Sequence, residues 1–385
     1  MKFLSSLMVA ITAVAGAMAQ DTNATAFANG LLSALRANNL TALADAVGNN
    51  SEALLPALLT PGNKTVLAPS NAALQALGEV PTDALIATIT YHVLNSTVDV
   101  AQINSGAKVI AASLLSNESY VDLGTGRSQV LVFSKFSGNN TAYVQQAGRN
   151  VSFALAANGP NYESIRVQPI ENVLSIPGNT STVAGQLGAS QLATLLQNAQ
   201  LVSALDSSTV TVFAPTNQAI AAVSSTIGAA SAQDQTNVLL NHVVNGTTVY
   251  STQLAGDNAV KSATSASGNE LTFTANSTGA YVTSGSVTAR IIQSDYAASN
   301  GVIHVIDAVL LNTTSNPQAA GSAYSSAASA AASPTGSTVP GVSGGTGGST
   351  GSGSGSGGEN GGMALKAGGA TAVLSLLASA FWLIA

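Results

Sequence analysis

The sequence predicts an α+β protein of two tandem domains followed by a disordered Ser/Ala/Gly-rich stalk. The chain has 385 residues, which is long enough for two or three domains. Three short motifs occur twice and in the same order, and such a repetition indicates a duplicated structural unit. The matching pairs are Lys64–Leu74 with Val210–Ile220, Tyr91–Leu94 with Asn241–Val244, and Ile170–Leu174 with Ile306–Leu310.

Helices are predicted in the first half of each unit. Apolar residues recur at near-helical spacing over 26–37 and 40–47 in the first unit and over 183–206 in the second. A further helix is expected over 230–240. These helices come before most of the strands, and that order favours the α+β class.

Strands are predicted around and after these helices. Residues 210–213 form a short apolar strand that ends at Ala-Pro, and the Thr-Asn that follows suits a helix cap. Alternating residues predict strands over 271–274 and 280–282. The near-continuous apolar run 302–311 predicts a strand that is buried on both faces.

Both ends of the chain resemble processing signals. Lys2, an apolar run over 3–14 and Ala17-Met18-Ala19 predict a secretory signal peptide over 1–19. The folded domains are then expected at 21–176 and 177–314.

At the other end, a polar spacer separates small residues from a short apolar terminus over 372–385. This pattern predicts a GPI signal, with Asn360 as the preferred lipid attachment residue, Gly358 and Ser356 as alternatives, and 361–385 as the removed propeptide. The Ser/Ala/Gly-rich residues 315–359 cannot bury enough apolar surface to fold and are predicted to form the stalk. The sequence therefore predicts an extracellular protein held on the plasma membrane, with transfer to a cell wall left open.

Composition excludes several classes of function. Only 7% of residues are charged and the net charge is −6, which argues against a nucleic-acid partner. The chain has no cysteine, so disulfide scaffolds and thiolate metal sites are excluded. No cofactor is expected. No nucleophile elbow, phosphate loop or zinc-helix motif has the required context, so an enzyme is not predicted, although a glycan-active enzyme stays a remote alternative.

N-x-S/T sequences are spread over the folded region and predict N-glycosylation. The acceptor asparagines are Asn23, Asn39, Asn49, Asn63, Asn95, Asn117, Asn139, Asn150, Asn179, Asn245, Asn276 and Asn312.

At its repeated motifs the sequence resembles a pair of fasciclin (FAS1) domains, with a layout similar to fungal GPI-anchored surface proteins. The second unit matches both family motifs, Thr211–Asn217 and Asn300–Leu310, and the first unit retains Tyr91-His92. The first unit lacks the Asn-Gly-x-x-His segment, and Glu171 replaces the aspartate. The motif residues, interpreted as structural, are Pro69, His92, Pro215, Asn217, His242, Asn300, Gly301 and His304.

The resemblance implies a small, wedge-like β-sandwich flanked by helices, and a non-enzymatic role in adhesion or matrix contact. It also suggests Ile306-Asp307 and Ile170-Glu171 as adhesion motifs, while Asp307 has the alternative role of capping backbone N–H groups. The expected partners are a membrane, through the GPI lipid, and cell-surface or matrix proteins or glycans, with homophilic contact left open. A structural coat glycoprotein without a specific ligand is the alternative function.

Overall fold

Each repeat places helices against a sheet that is built from the predicted strands. The computed structural model describes residues 24–135, 141–153, 161–255 and 259–332. The described residues all fall in one compact unit, Met1–Val342. The predicted signal peptide, Asn23, Asn139, Asn360 and the propeptide lie outside the described residues.

Domain 1 contains two four-stranded sheets, with strand orders β2-β1-β8-β7 and β3-β4-β5-β6. The parallel pair β1–β8 lies at the centre of the first sheet. The helices are α1 (24–37), α2 (Thr41–Asn49), α3 (Ser51–Leu58), α4 (Asn71–Leu77) and α5 (Thr82–Tyr91), with a 3₁₀ helix at Val100–Gln102. The strands are β1 (Lys64–Pro69), β2 (Val93–Leu94), β3 (Lys108–Ala112), β4 (Val130–Lys135), β5 (Ala142–Gln145), β6 (Val151–Ser152), β7 (Asn161–Tyr162) and β8 (Ile165–Ile170).

Domain 2 repeats this design with one continuous seven-stranded sheet, ordered β10-β9-β15-β14-β13-β12-β11. The long strand β14 joins the two halves and carries two register shifts against β15, between residues 291 and 296. The helices are α6 (Thr180–Gln186), α7 (Ser190–Asn198), α8 (Val202–Asp206), α9 (Asn217–Ala222), α10 (Ser224–Ala229) and α11 (Ala232–Leu240), with a 3₁₀ helix at Ser251–Gln253. The strands are β9 (Val210–Pro215), β10 (Val243–Asn245), β11 (Ser262–Thr264), β12 (Glu270–Asn276), β13 (Gly279–Ser284), β14 (Val287–Ala298) and β15 (Gly301–Ile306).

The strand-to-helix junctions are formed as the sequence predicts. After Pro69 and Pro215 the chain leaves the strand, and the side chains of Ser70 and Thr216 accept hydrogen bonds from the N–H groups of residues three positions later. These N-caps satisfy donors that the first helical turn leaves free. The α+β prediction and the tandem organisation are confirmed.

Two predicted elements have different bounds. The stretch 183–206 forms three helices, because Gly188 and Gln200 adopt positive φ angles of 75° and 57°. The run 302–311 is a strand only up to Ile306. After that residue the chain turns, and the N–H of Leu311 donates to the carbonyl of Val309 at 2.9 Å.

The beginning of the predicted stalk is instead helical. Residues Pro317–Ala332 form α12, which packs against β10 and β11. Its Asn316 cap accepts a hydrogen bond from the N–H of Ala319 at 3.1 Å, and the Ala-rich sequence has the highest helix propensity available. The prediction of disorder is therefore wrong for 317–332, and the rest of the predicted stalk lies outside the described residues.

Candidate functional site

His92 and His242 occupy equivalent positions at the ends of α5 and α11, and both are 2% exposed. Each ring spans two backbone segments. The Nδ1 atom of His242 lies 2.7 Å from the carbonyl oxygen of Val238, and its Nε2 atom accepts a hydrogen bond from the N–H of Leu310 at 2.9 Å. His92 makes the same contacts with Thr88 and Leu174, at 2.7 and 2.9 Å.

These contacts define the proton positions on both rings. The carbonyl oxygen requires a proton on Nδ1, and the backbone N–H requires a free lone pair on Nε2, so each imidazole is neutral. Burial lowers the pKa of His92 and of His242 to about 4, although the hydrogen bond to the helix carbonyl opposes this shift. Neither ring reaches the surface, and their geometry fits a structural role.

His304 belongs to a buried polar cluster that the sequence did not reveal. Its Nε2 atom lies 2.7 Å from the carbonyl oxygen of Val249, and its ring stacks on Phe213 at 5.4 Å between centroids. The carboxylate of Asp295 approaches Nδ1 at 4.0 Å and accepts hydrogen bonds from the N–H and hydroxyl groups of Ser251. Lys108 of domain 1 completes the cluster, with its Nζ atom 3.4 Å from Asp295.

Burial and neighbouring charges shift the pKa values of His304 and Asp295 in this cluster. Burial lowers the pKa of His304, which is completely buried. Burial would raise the pKa of Asp295, but His304, Lys108 and the Ser251 hydrogen bonds together hold it below its ordinary value. Asp295 has a φ of 62° and lies on the irregular part of β14, which turns its carboxylate inward.

The remaining motif residues hold backbone segments together. The Asn300 side chain accepts a hydrogen bond from Thr180 N–H and donates to the carbonyls of Leu205 and Ser208, each at 2.9 Å. Asn217 similarly accepts from the N–H of Gln191 at 3.0 Å. A Cβ atom on Gly301 would lie 2.0 Å from the carbonyl oxygen of Val210, so the close β9–β15 pairing requires glycine there.

The two candidate adhesion motifs are only partly accessible. Ile306 and Ile170 are 0% and 1% exposed and pack in the cores of their domains, because their side chains face inward at the ends of β15 and β8. In this structure neither isoleucine side chain is accessible to a partner. Asp307 and Glu171 are exposed. Asp307 also accepts a hydrogen bond from the N–H of Arg290 at 2.7 Å, as expected of a capping carboxylate.

The described acceptor asparagines are unevenly distributed between the two domains. Those in domain 1 are all exposed: Asn39, Asn49, Asn63, Asn95, Asn117 and Asn150. In domain 2 only Asn276 is exposed, at the end of β12, whereas Asn179, Asn245 and Asn312 are half-buried. Asn179 is further restrained, because it donates to Asp206 at 2.7 Å and caps α6.

The outer face of the domain 2 sheet is exposed and polar. We define it by the exposed residues Glu270, Thr272, Thr274, Thr288 and Arg290 and the half-buried residues Tyr281 and Thr283, which lie side by side on β12, β13 and β14. The hydroxyl oxygens of Thr283 and Thr288 are 2.9 Å apart, and the Arg290 guanidinium donates to the carbonyl of Thr278 at 2.8 Å. This face presents hydrogen-bond donors and acceptors with both signs of charge.

Metal clusters and membrane-spanning helices are both absent from the described ranges. No group of three or more side chains suited to metal binding comes together there. None of the helices described combines the length and apolar character needed to cross a membrane.

Comparison with known proteins agrees with the repeat. A model of the Fasciclin domain matches residues 37–154 and 187–312, together more than half of the chain. A solved FAS1 domain pair from the insect cell adhesion molecule Fasciclin I is similar, with 16% identity over 72% of this chain and 98% of that chain and a TM-score of 0.35. No curated protein sequence matches. The family match, with its two separate segments, shows that the chain belongs to the Fasciclin domain family as a tandem protein.

Proposed function

We propose that this chain is a secreted, N-glycosylated and GPI-anchored surface protein that makes weak adhesive contacts. Fasciclin domains act generally in cell adhesion or surface interactions and form a non-enzymatic family. The signal-like terminus 1–19, the acceptor asparagines and the Asn360 attachment sequence support the extracellular placement.

The uneven distribution of acceptor asparagines is the observation that supports an adhesive role most strongly. Glycans on the exposed asparagines would cover much of domain 1, while the outer face of domain 2 has an acceptor only at its edge, Asn276. A protein that served only as a coat has no need of a sheet face that lacks N-glycan acceptors. We therefore assign adhesion to the outer face of domain 2.

A glycan is the partner that this face suits best. Large exposed apolar side chains are scarce in the described residues, where Leu59 and Ile292 are 40% and 45% exposed. A typical protein interface has a central apolar or aromatic anchor, whereas the aromatic side chain on this face, Tyr281, is half-buried and its hydroxyl lies 2.8 Å from that of Thr278. Threonine hydroxyls with one guanidinium and one carboxylate instead offer hydrogen bonds to sugar hydroxyls. Each such contact is weak, and many tethered copies would supply the avidity.

A bead-clustering assay tests this function. Residues 20–358, produced in a glycosylating host, are coupled to beads at high density. Clustering of coated beads that is lost after enzymatic removal of N-glycans supports adhesion through the glycans of a second copy. Clustering only with cells, and loss of it after deglycosylation of the cells, supports a heterophilic glycan. Absence of clustering in both formats contradicts adhesion and leaves the coat glycoprotein as the function.

Asp307 is tested in the same assay. Its carboxylate is exposed but already accepts the Arg290 hydrogen bond, so Asp307→Ala is expected to reduce clustering by less than about twofold, as removal of a single exposed contact would. Complete loss of clustering in this variant, with unchanged stability, would restore Asp307 as the main adhesive residue.

A further inference from the structure

The strands β4 and β12 are equivalent in the two repeats but differ on one face. Their sequences, Val130–Ser134 and Glu270–Thr274, align so that Leu131 and Phe133 match Leu271 and Phe273. These four side chains point into the cores of their domains. On the opposite face, valines in domain 1 replace the glutamate and threonine of domain 2.

The valine face of domain 1 is covered by domain 2. Val130 and Val132 are 2% and 1% exposed and pack with Ile110 against Tyr250 and Val302 of the second domain. Every residue of β4 is buried, whereas Glu270, Thr272 and Thr274 at the equivalent positions of β12 are exposed. The same strand of the repeat is thus an interior strand in domain 1 and a surface strand in domain 2.

Polar contacts surround this apolar contact. Lys108 on β3 donates to the hydroxyl of Ser294 at 2.9 Å and faces Asp295, and Gln145 on β5 donates to the carbonyl of Ser294 at 2.7 Å. At the other end, the Gln129 side chain donates to the carbonyl of Ala298 at 2.9 Å. Lys108 retains 17% of its side-chain exposure and Asp295 none, so separating the domains would leave the carboxylate without its lysine.

The domain 2 surface that contacts domain 1 has no apolar equivalent in domain 1. The residue before the 3₁₀ helix is Tyr250 in domain 2 and Asp99 in domain 1. The position of Val302 on β15 corresponds to Arg166 on β8. Because the apolar contact residues of domain 2 have charged counterparts in domain 1, the equivalent surface of domain 1 cannot make the same contact with the outer face of another domain.

We propose that domain 1 depends on domain 2 for its fold, through the permanent docking of its outer sheet face onto the second domain. The two repeats then form one cooperative, rigid unit, and only domain 2 retains an outer sheet face for external partners. This inference rests on the contact between the domains and does not require the proposed adhesive function.

A matched pair of variants tests this dependence in the full chain. Val132→Glu places a charge in the covered face, and Thr272→Glu places the same charge at the equivalent exposed position of domain 2. Urea unfolding is followed by hydrogen exchange in β4 and β9, which report on domains 1 and 2. In the wild-type protein both strands are expected to lose protection at the same urea concentration.

Val132→Glu is expected to raise hydrogen exchange in β4 by at least about tenfold while β9 stays protected. The reason is that domain 1 separates from domain 2 and unfolds while domain 2 is still folded. Thr272→Glu is expected to change exchange in either strand by less than about twofold, as usual for exposed positions. If Val132→Glu does not fold at all, Val132→Thr, which places the threonine of position 272 at the covered position of domain 1, gives the milder test with the same selective rise in β4. Separate wild-type transitions for the two strands, or equal effects of Val132→Glu and Thr272→Glu, would overturn the proposal.

Discussion

The stability of the protein should decrease between pH 7 and pH 4 because His92 and His242 are buried as neutral rings. The pKa of His242 is about 4 in the folded chain, against 6.5 for an ordinary histidine. Between these values the unfolded chain binds a proton that the folded chain does not. The contribution of a neutral His242 is therefore fully present above pH 6.5 and is lost as the pH falls towards 4. One pH unit corresponds to 1.36 kcal/mol, so the loss is about 3 kcal/mol for this residue.

His242→Gln isolates this contribution from the titration of the many carboxylates. At pH 7 the variant should be less stable than wild type by about 1–3 kcal/mol, because the N–H of Leu310 and the carbonyl of Val238 lose optimal partners. Urea unfolding at constant ionic strength gives the free energy of unfolding of both proteins from pH 7 to pH 4.

The stability advantage of wild type over His242→Gln should fall by about 3 kcal/mol over this range, so that at pH 4 the variant is as stable as wild type or more stable by up to about 2 kcal/mol. The His92→Gln variant should behave in the same way, because the two sites share their geometry. A difference that stays constant from pH 7 to pH 4 would refute the reasoning, since it would mean that the fold does not disfavour the charged ring.

Three further predictions concern packing and modification. Gly301→Ala should destabilise the protein by about 3 kcal/mol in urea unfolding through its clash with the Val210 carbonyl, whereas Gly228→Ala, which meets no atom within 4 Å, should not destabilise it. Tyr324→Ala should increase hydrogen exchange over 317–332 but not in the strands, because Tyr324 packs on Gly246; an unchanged helix would contradict this docking. Glycopeptide mass spectrometry should find Asn179 unoccupied, and a glycan there would show that its bond to Asp206 is dispensable.

The repeated elements could be predicted from the sequence because their signals are local. The strand that ends at Pro215 and the Thr216 cap depend on neighbouring residues, and the structure contains both. The alternation over 271–274 likewise identified β12, since one side of that strand is exposed. Periodicity and capping chemistry are sufficient where an element meets water on one face.

The contact between the domains could not be predicted in this way. Lys108 and Asp295 are far apart in sequence, and nothing local to either residue indicates the other. A signal was nevertheless present, because the valines at 130 and 132 replace the polar Glu270 and Thr272 of the second repeat. Comparing the repeats position by position, as well as by motif, would have shown that one face of the first domain is covered.

Composition alone was misleading for α12. Alanine and serine over 319–332 resemble a linker because they lack large apolar side chains. Small side chains also allow a helix to approach a backbone closely, and a Cβ atom on Gly246 would lie 2.8 Å from that of Ala327. The helix is thus held by a close approach and by alanine propensity, and neither produces a strong apolar pattern.

Placing a glycan on the outer face of domain 2 tests the assignment of adhesion most directly. Thr272→Asn creates the acceptor sequence Asn-Phe-Thr with Phe273 and Thr274, and Thr272→Gln is a polar control without an acceptor. Both proteins are compared with wild type in the bead assay, after glycopeptide mass spectrometry has established occupancy at 272. We predict that Thr272→Asn abolishes clustering and that Thr272→Gln retains it. Undiminished clustering by the glycosylated variant would contradict the assignment of adhesion to this face.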